Sequence, residues 1–125
     1  MKASRILVVD DNADTRYLLS ALLNGFGYEV ACAVNGAEAL EMARRDPPVL
    51  IIADILMPVM DGFTLCREWK RDKGLKPIPF IMYTATYTDP QDEAFAIKIG
   101  VDRFVTKPCE PDLLLDIICD VIARA

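Results

Sequence analysis

The sequence predicts an α/β fold, in which helices cover both faces of a parallel sheet. Five strand-like and five helix-like segments alternate along the 125 residues, and such alternation is typical of a doubly wound sheet with right-handed crossovers. The strand-like segments are short and almost entirely apolar, as in residues 49–53. Runs of this kind are typical of parallel strands buried on both faces.

The first strand–helix unit occupies residues 6–24. Residues 6–9 form the predicted strand, and a helix over residues 12–24 is expected to be stopped by Gly25 and Gly27, because glycine favours helix ends. The apolar face of this helix is expected to comprise Leu18, Ala21 and Leu22.

The second unit begins with a predicted strand at residues 28–33. The dipeptide Asn35-Gly36 is compatible with a hairpin turn. However, residues 37–45 are rich in helix formers, which favours a helix start. The prolines in residues 46–48 end this helix and lead into the third strand.

The second half of the chain repeats the pattern. A helix is predicted at residues 63–71, with Phe63, Cys66 and Trp69 on one side. The fourth strand begins near residue 78, its helix ends at Gly100, and the fifth strand covers residues 103–106. The final helix starts at Pro111 with acidic residues in its first turn. Its apolar stripe is Leu114, Ile117, Ile118 and Val121.

Composition limits the class of protein. With 53% hydrophobic and 26% charged residues, the chain is expected to form one globular domain over residues 1–125, without an output domain. A net charge of −5 disfavours direct nucleic-acid binding, which needs a basic surface. No apolar run reaches transmembrane length, and residues 1–5 show no signal-peptide pattern.

Cysteine and histidine usage adds two constraints. The four cysteines are widely spaced without a C-x-x-C motif, so we expect reduced, packed thiols in a cytoplasmic protein. The chain has no histidine. This excludes Ser/His or Cys/His catalysis and a role as a phosphohistidine carrier. The cysteines are Cys32, Cys66, Cys109 and Cys119.

Reactive polar residues follow four of the predicted strands. In parallel sheets the ligand site lies outside the carboxyl ends of the strands, so these residues should converge at one edge. Crowded carboxylates repel one another unless some are protonated or a cation lies among them, and hard oxygen ligands favour Mg²⁺. A carboxylate can also attack a phosphoryl group while a metal and an ammonium neutralise the transferred oxygens. The residues are Asp10, Asp11, Asp54, Thr84 and Lys107.

Each of these residues also has an ordinary structural alternative. One of Asp10 and Asp11 could cap a helix, and Asp54 could begin a turn. Lys107 could be a surface lysine, and Thr84 a common strand residue. The Lys107-Pro108 bond could be cis, although most X-Pro bonds are trans. The coincidence of the acidic pair with Asp54 favours the metal site.

Four stretches together resemble the receiver domain of two-component response regulators. They are ILVVDDN at residues 6–12, DILMPVMDG at 54–62, YTA at 83–85 and GVDRFVTKP at 100–108. The resemblance extends over essentially the whole chain. It implies a flavodoxin-like fold with strand order 2-1-3-4-5 and a switch domain without separate substrate turnover.

The resemblance also implies a role for each site residue. Asp54 would accept a phosphoryl group from a histidine kinase or a histidine phosphotransfer domain. An apolar Leu56 beside the site would not orient a hydrolytic water, which implies a long-lived phosphoryl group. The implied Mg²⁺ ligands are Asp10, Asp11, Asp54 and the Leu56 carbonyl, the phosphoryl contacts are Thr84 and Lys107, and the switch residues are Thr84 and Phe104.

Some positions depart from the commonest family pattern. Phe104 stands where tyrosine is frequent, Cys109 follows Lys-Pro where a hydrophobic residue is usual, and Tyr83 precedes Thr84 where an aliphatic residue is usual. The fourth helix is apolar on nearly every side. We therefore expect Phe95 and Phe104, with the last two helices, to meet an effector or another copy. Alternatively, Phe95 covers a local gap.

Three other functions share parts of this pattern. A phosphatase of the haloacid-dehalogenase type would need a D-x-D motif after the first strand, where this chain has Asp10-Asp11-Asn12. A flavin-binding module would need a phosphate-binding loop there, and two carboxylates would repel the phosphate. A receiver that is never phosphorylated could act only as a binding scaffold.

Overall fold

The computed structural model describes residues 5–125. Four of the five residues that were searched for a signal-peptide pattern, residues 1–4, therefore lie outside the described residues. The strands are β1 (Arg5–Val9), β2 (Glu29–Ala33), β3 (Leu50–Ala53), β4 (Phe80–Thr84) and β5 (Arg103–Thr106). The helices are α1 (Ala13–Gly25), α2 (Gly36–Arg45), α3 (Gly62–Arg71), α4 (Pro90–Ile99) and α5 (Pro111–Arg124).

The five strands form one parallel sheet in the order β2-β1-β3-β4-β5. This confirms the predicted fold and strand order. The chain moves outward from β1 to β2 and then returns past β1 to β3, so the loops that follow β1 and β3 diverge. Such a switch point opens a crevice at the carboxyl edge of the sheet.

Two apolar layers hold the helices against the sheet. Because side chains alternate along a strand, Ile6 and Val8 face the α1–α5 side, whereas Leu7 and Val9 face the α2–α3–α4 side. All four are at most 2% exposed. The predicted α5 stripe is confirmed, since each of its residues is buried: Leu114, Ile117, Ile118 and Val121.

Side-chain caps fix where α1 and α2 begin. Asn12 accepts a hydrogen bond from the Thr15 amide at 2.9 Å, and Asn35 accepts one from the Glu38 amide at 2.8 Å. Asn35-Gly36 therefore opens a helix and not a hairpin. Gly100 ends α4 in the left-handed conformation, as expected from the sequence.

The predicted apolar face of α1 was wrong by one position. Leu19 and Leu23 are the buried residues, whereas Leu18 is 66% exposed. Ala21 is also exposed, and Leu22 is half-buried. The Leu-rich segment offers two apolar rows at helical spacing, and contact with the sheet selects the second row.

The cysteines are free, as expected, but not all are packed. Cys66 is buried and Cys109 is half-buried, whereas Cys32 and Cys119 are exposed. Burial raises the pKa of the Cys66 thiol to about 11. Within residues 5–125, no helix is long and apolar enough to cross a membrane.

Candidate functional site

Three carboxylates converge where β1 and β3 end. The backbone amide of Asp10 donates to the Ala33 carbonyl at 3.1 Å, and that of Asp54 donates to the Val9 carbonyl at 3.0 Å. These bonds continue the sheet by one residue and hold the two aspartates side by side. Asp10 is 2% exposed, Asp54 is half-buried and Asp11 is exposed. Oxygen atoms of the three carboxylates lie within 4.8 Å of one another.

The loop after β1 orients Asp10. The Asn12 amide donates to Asp10 Oδ1 at 2.9 Å, and Arg16 donates to the Asp10 carbonyl at 2.8 Å. Because Asn12 is the residue that caps α1, the alternative in which Asp10 or Asp11 caps this helix was wrong. Neither carboxylate is therefore used to cap α1.

Lys107 supplies the positive charge of the site. Its ammonium nitrogen lies 2.8 Å from Asp10 Oδ2 and 3.2 Å from Asp54 Oδ2. Burial opposes the charged form, but hydrogen bonds and charges from the two aspartates outweigh it and raise the Lys107 pKa. Lys107 is thus not a solvated surface lysine. The Lys107-Pro108 bond is cis.

Thr84 ends β4 and is fully buried. Its hydroxyl donates to the Thr86 carbonyl at 3.0 Å, lies 3.1 Å from the Thr86 hydroxyl, and accepts from the Thr86 amide at 3.1 Å. The structure therefore ties Thr84 to the loop that leads into α4. The Lys107 amide donates to the Thr84 carbonyl at 2.9 Å, which links the ends of β4 and β5.

The loop between β3 and α3 packs tightly against Asp54. The Ile55 amide donates to Asp54 Oδ1 at 2.7 Å, and the Gly62 amide donates to the Ile55 carbonyl at 2.8 Å. A Cβ on Gly62 would lie 2.2 Å from the Asp54 carbonyl oxygen, so only glycine fits there. The Leu56 side chain is 56% exposed, and its carbonyl stays a predicted metal ligand.

The donor set suits a small divalent cation. Three carboxylates face one ammonium, so the cluster retains an excess of negative charge that a divalent cation would balance. Among residues 5–125, no hydrogen-bond or ion-pair partner of the Asp11 carboxylate is found. Because Asp11 is exposed, water molecules can reach a cation bound there, and Mg²⁺ in proteins usually keeps several bound waters.

The two aromatic residues of the predicted partner face have contacts within the chain. Phe104 is half-buried and packs on the α2–α3–α4 side of the sheet. Phe95 makes an edge contact with Phe63 at 5.1 Å, and the Arg67 guanidinium lies 5.3 Å from its ring centre. These contacts support the local-packing alternative for Phe95, which is nevertheless 37% exposed.

Comparison with known proteins identifies the family. The model of the response regulator receiver domain matches residues 6–119. The chain belongs to this family. It is a receiver domain of two-component signalling, which separates it from the phosphatase and flavin-binding alternatives. The family is a signalling family in which phosphoacceptor function is expected.

Individual relatives support this assignment of the receiver. The probable transcriptional regulator ycf27 of Porphyra purpurea is 40% identical over 121 residues, which are 97% of this chain and 48% of that protein. The receiver domain of a histidine kinase from Syntrophus aciditrophicus is 36% identical, with a TM-score of 0.90, over 98% of this chain and 92% of that one.

One solved structure bears on the metal. The receiver domain of a sensor histidine kinase from Pseudomonas aeruginosa has a magnesium ion in its active-site cleft. It is 27% identical, with a TM-score of 0.88, over 97% of this receiver and 98% of that chain. The receiver spans about half the length of the first curated relatives that it matches.

The sequence predicted which residues meet at the site, but it did not predict all of the contacts that hold them in place. Asp10, Asp11, Asp54 and Lys107 come together as predicted. The contact from Arg16 was missed, although a basic residue one turn into the helix that follows the acidic pair is a usable signal. The approach of Gly62 to Asp54 was also missed, because close backbone contact leaves no pattern in the sequence beyond the glycine itself.

Proposed function

We propose that this receiver is a phosphoacceptor switch in which Asp54 takes a phosphoryl group from the phosphohistidine of a histidine kinase or a histidine phosphotransfer domain. The observation that carries the proposal is the position of Asp54, whose carboxylate has an oxygen within 4.8 Å of oxygens of the acidic pair and makes a 3.2 Å contact with the Lys107 ammonium. This receiver has no histidine, so the donor is another protein, another domain or a small phosphodonor.

The transfer needs only one nucleophile from this chain. A carboxylate oxygen of Asp54 attacks phosphorus, a new oxygen–phosphorus bond forms, and the nitrogen–phosphorus bond of the donor breaks. The departing imidazole nitrogen keeps the electron pair and takes up a proton. Lys107, 3.2 Å from Asp54 Oδ2, neutralises charge on the transferred oxygens.

Mg²⁺ is the cofactor that we propose for this reaction. Asp10, Asp11, Asp54 and the Leu56 carbonyl would hold it, and the magnesium seen in the Pseudomonas relative supports this choice. When bound, the ion supplies positive charge that balances the carboxylates and the transferred phosphoryl group. The buried Asp10, with its fixed hydrogen bonds, would be the ligand that changes least on binding.

The output follows from differential contacts in two states. We propose that the Thr84 hydroxyl leaves Thr86 for a phosphoryl oxygen, and that the loop before α4 and the half-buried Phe104 then rearrange. A changed α4–α5 face, with Phe95, would be the surface for a downstream effector or a second copy. The exposed apolar residues of α4 support this face.

Intact mass spectrometry after incubation with acetyl phosphate and Mg²⁺ tests the proposal. We expect one added phosphoryl group in the parent protein, none in Asp54→Asn, and little when a chelator removes Mg²⁺. A matched control is Asp112→Asn, an exposed acidic residue in the first turn of α5, which should behave as the parent does.

Two results would contradict the proposal. Equal labelling of the parent and Asp54→Asn would show that another residue is the acceptor. No labelling by acetyl phosphate, followed by none from a phosphorylated histidine-kinase core, would leave the receiver as a scaffold that is not phosphorylated.

A further inference from the structure

We infer that Tyr83 is a positioning residue for Lys107, an inference that rests on the proposed phosphoacceptor function. The Tyr83 ring holds the lysine ammonium close to Asp54, so that the ammonium can remain in contact with this residue when a phosphoryl group forms on it. Tyr83 itself touches no reacting atom, so it acts through the lysine.

The ring and the ammonium are neighbours because β4 and β5 are paired. Tyr83 is the residue before Thr84 on β4 and lies opposite Val105 on β5. Lys107 follows two residues later, and its ammonium nitrogen lies 5.4 Å from the centre of the Tyr83 ring. This distance is within the range of a cation–π contact. The ammonium therefore lies among the ring, Asp10 and Asp54.

Packing against the core restricts the movement of the ring. Tyr83 is half-buried and packs against the apolar layer between the sheet and helices α1 and α5. Tyr83 and Lys107 also line one cavity of about 400 Å³, together with Leu19 of α1 and the Pro108-Cys109 segment. A ring held by the core is a fixed contact surface for a flexible side chain.

A fixed surface matters because lysine has a long and mobile stem. Its ammonium is a point charge on four methylene groups and loses much rotamer freedom when it is held in one place. As a phosphoryl group forms on Asp54, the ammonium must shift from carboxylate oxygens to phosphoryl oxygens. An aromatic face can attract it throughout this shift, whereas an aliphatic side chain at position 83 offers only packing.

The phosphorylation rate with acetyl phosphate at saturating Mg²⁺ tests the inference. Tyr83→Phe keeps the ring and should react like the parent. Tyr83→Leu keeps an apolar side chain without the ring, and we expect it to react about three- to tenfold more slowly, because the lysine is then in position for a smaller share of the time. Tyr17→Leu, at a 74% exposed position of α1, is the matched control and should not change the rate.

Two further readouts separate positioning from a structural defect. The Mg²⁺ affinity of Tyr83→Leu should be no weaker than that of the parent, because the carboxylates are undisturbed. In NMR spectra, the ε-methylene protons of Lys107 should show an upfield ring-current shift in the parent and in Tyr83→Phe but not in Tyr83→Leu.

The outcomes separate this inference from the proposed function. If the parent is phosphorylated and Tyr83→Leu reacts at the same rate, or if the ring-current shift is absent from the parent, the positioning role is wrong. A slower Tyr83→Leu that also binds Mg²⁺ more weakly would indicate a distorted site and would overturn the inference. If the parent itself takes up no phosphoryl group, the proposed function fails and the inference fails with it.

Discussion

Lys107 shows how one residue can serve both folding and function. Removing an aspartate and a lysine from water is costly unless they are paired, and here the ammonium contacts two carboxylates at once. The contact with Lys107 gives the Asp10 carboxylate a partner of opposite charge at a position that is only 2% exposed. It also keeps the ammonium next to the oxygen that we propose as the nucleophile.

Leu56 is the residue that we expect to set the lifetime of the phosphorylated state. An apolar side chain cannot orient a water molecule for attack on phosphorus, whereas an amide can. We expect Leu56→Asn to speed loss of the phosphoryl group on the order of tenfold, because orientation of the nucleophile lowers the barrier. The decay of phosphorylated protein in Mg²⁺ buffer measures this.

The control for Leu56 is Leu113→Asn on α5, because Leu113 is similarly exposed at 54%. It should leave the decay unchanged. Rapid decay in the parent, with no further increase in Leu56→Asn, would show that Leu56 does not limit hydrolysis.

The buried thiol of Cys66 is expected to make the stability of the fold depend on pH in the alkaline range. Its folded pKa of about 11 lies above its ordinary value of 9.0, so the unfolded chain loses the proton first. The contribution of the neutral thiol is therefore complete below pH 9 and is lost as pH rises through 11. We expect the free energy of unfolding to fall by about 2 kcal/mol more in the parent than in Cys66→Ala over this range.

Urea denaturation at several alkaline pH values measures this difference. Other groups titrate in the same range, but they contribute equally to both proteins and cancel in the comparison. Parallel pH profiles for the parent and Cys66→Ala would show that the buried thiol is not the source of the effect.

At the scale of elements, one close contact restricts which residue the loop between β3 and α3 can have at position 62. Alanine at position 62 would place its Cβ 2.2 Å from the Asp54 carbonyl oxygen, so the loop must move. We expect Gly62→Ala to lower the free energy of unfolding by about 2 kcal/mol and to weaken Mg²⁺ binding, since Asp54 moves with the loop. Urea denaturation and a Mg²⁺ titration check both effects.

Gly25→Ala is the matched glycine control. Gly25 lies at the end of α1, and a Cβ there would meet no atom within 4 Å. Alanine favours the helix, so we expect no loss and a gain of up to about 1 kcal/mol. If both variants lose the same stability, the close contact at Gly62 is not the cause.

The helices show what periodicity can and cannot predict. The α5 stripe was predicted in full, because its four buried residues follow one i, i+3, i+4, i+7 series. The α1 face was not, because Leu18 and Leu22 follow the same spacing as Leu19 and Leu23. Only the position of the sheet decides between these rows, and a helical period alone does not contain that information.

For the molecule as a whole, the carboxyl edge of the sheet was the most predictable feature. Parallel strands must place the residues that follow them at one edge, whatever their separation in sequence. This rule brought Asp10, Asp54 and Lys107 together correctly. The hydrogen bonds of Thr84 with Thr86 were not predicted, because they depend on the local conformation of a loop.

Unequal burial across the molecule predicts unequal motion. Ala96 is the one buried residue of α4, whereas α5 has four. Regions with little buried apolar surface open most easily. We therefore expect amide hydrogens of α4 to exchange faster than those of α5 in the unphosphorylated protein, and this can be measured by hydrogen–deuterium exchange. Equal protection of both helices would argue against α4 as the mobile part of the output face.

The most direct test of the account is to locate the phosphoryl group in the chain. Borohydride reduces an aspartyl phosphate to homoserine, so peptide mass spectrometry after reaction with acetyl phosphate and Mg²⁺ identifies the residue. We expect homoserine at Asp54 and at neither Asp10 nor Asp11. Homoserine at either of these residues, or reduction products unchanged when Mg²⁺ is removed, would contradict it.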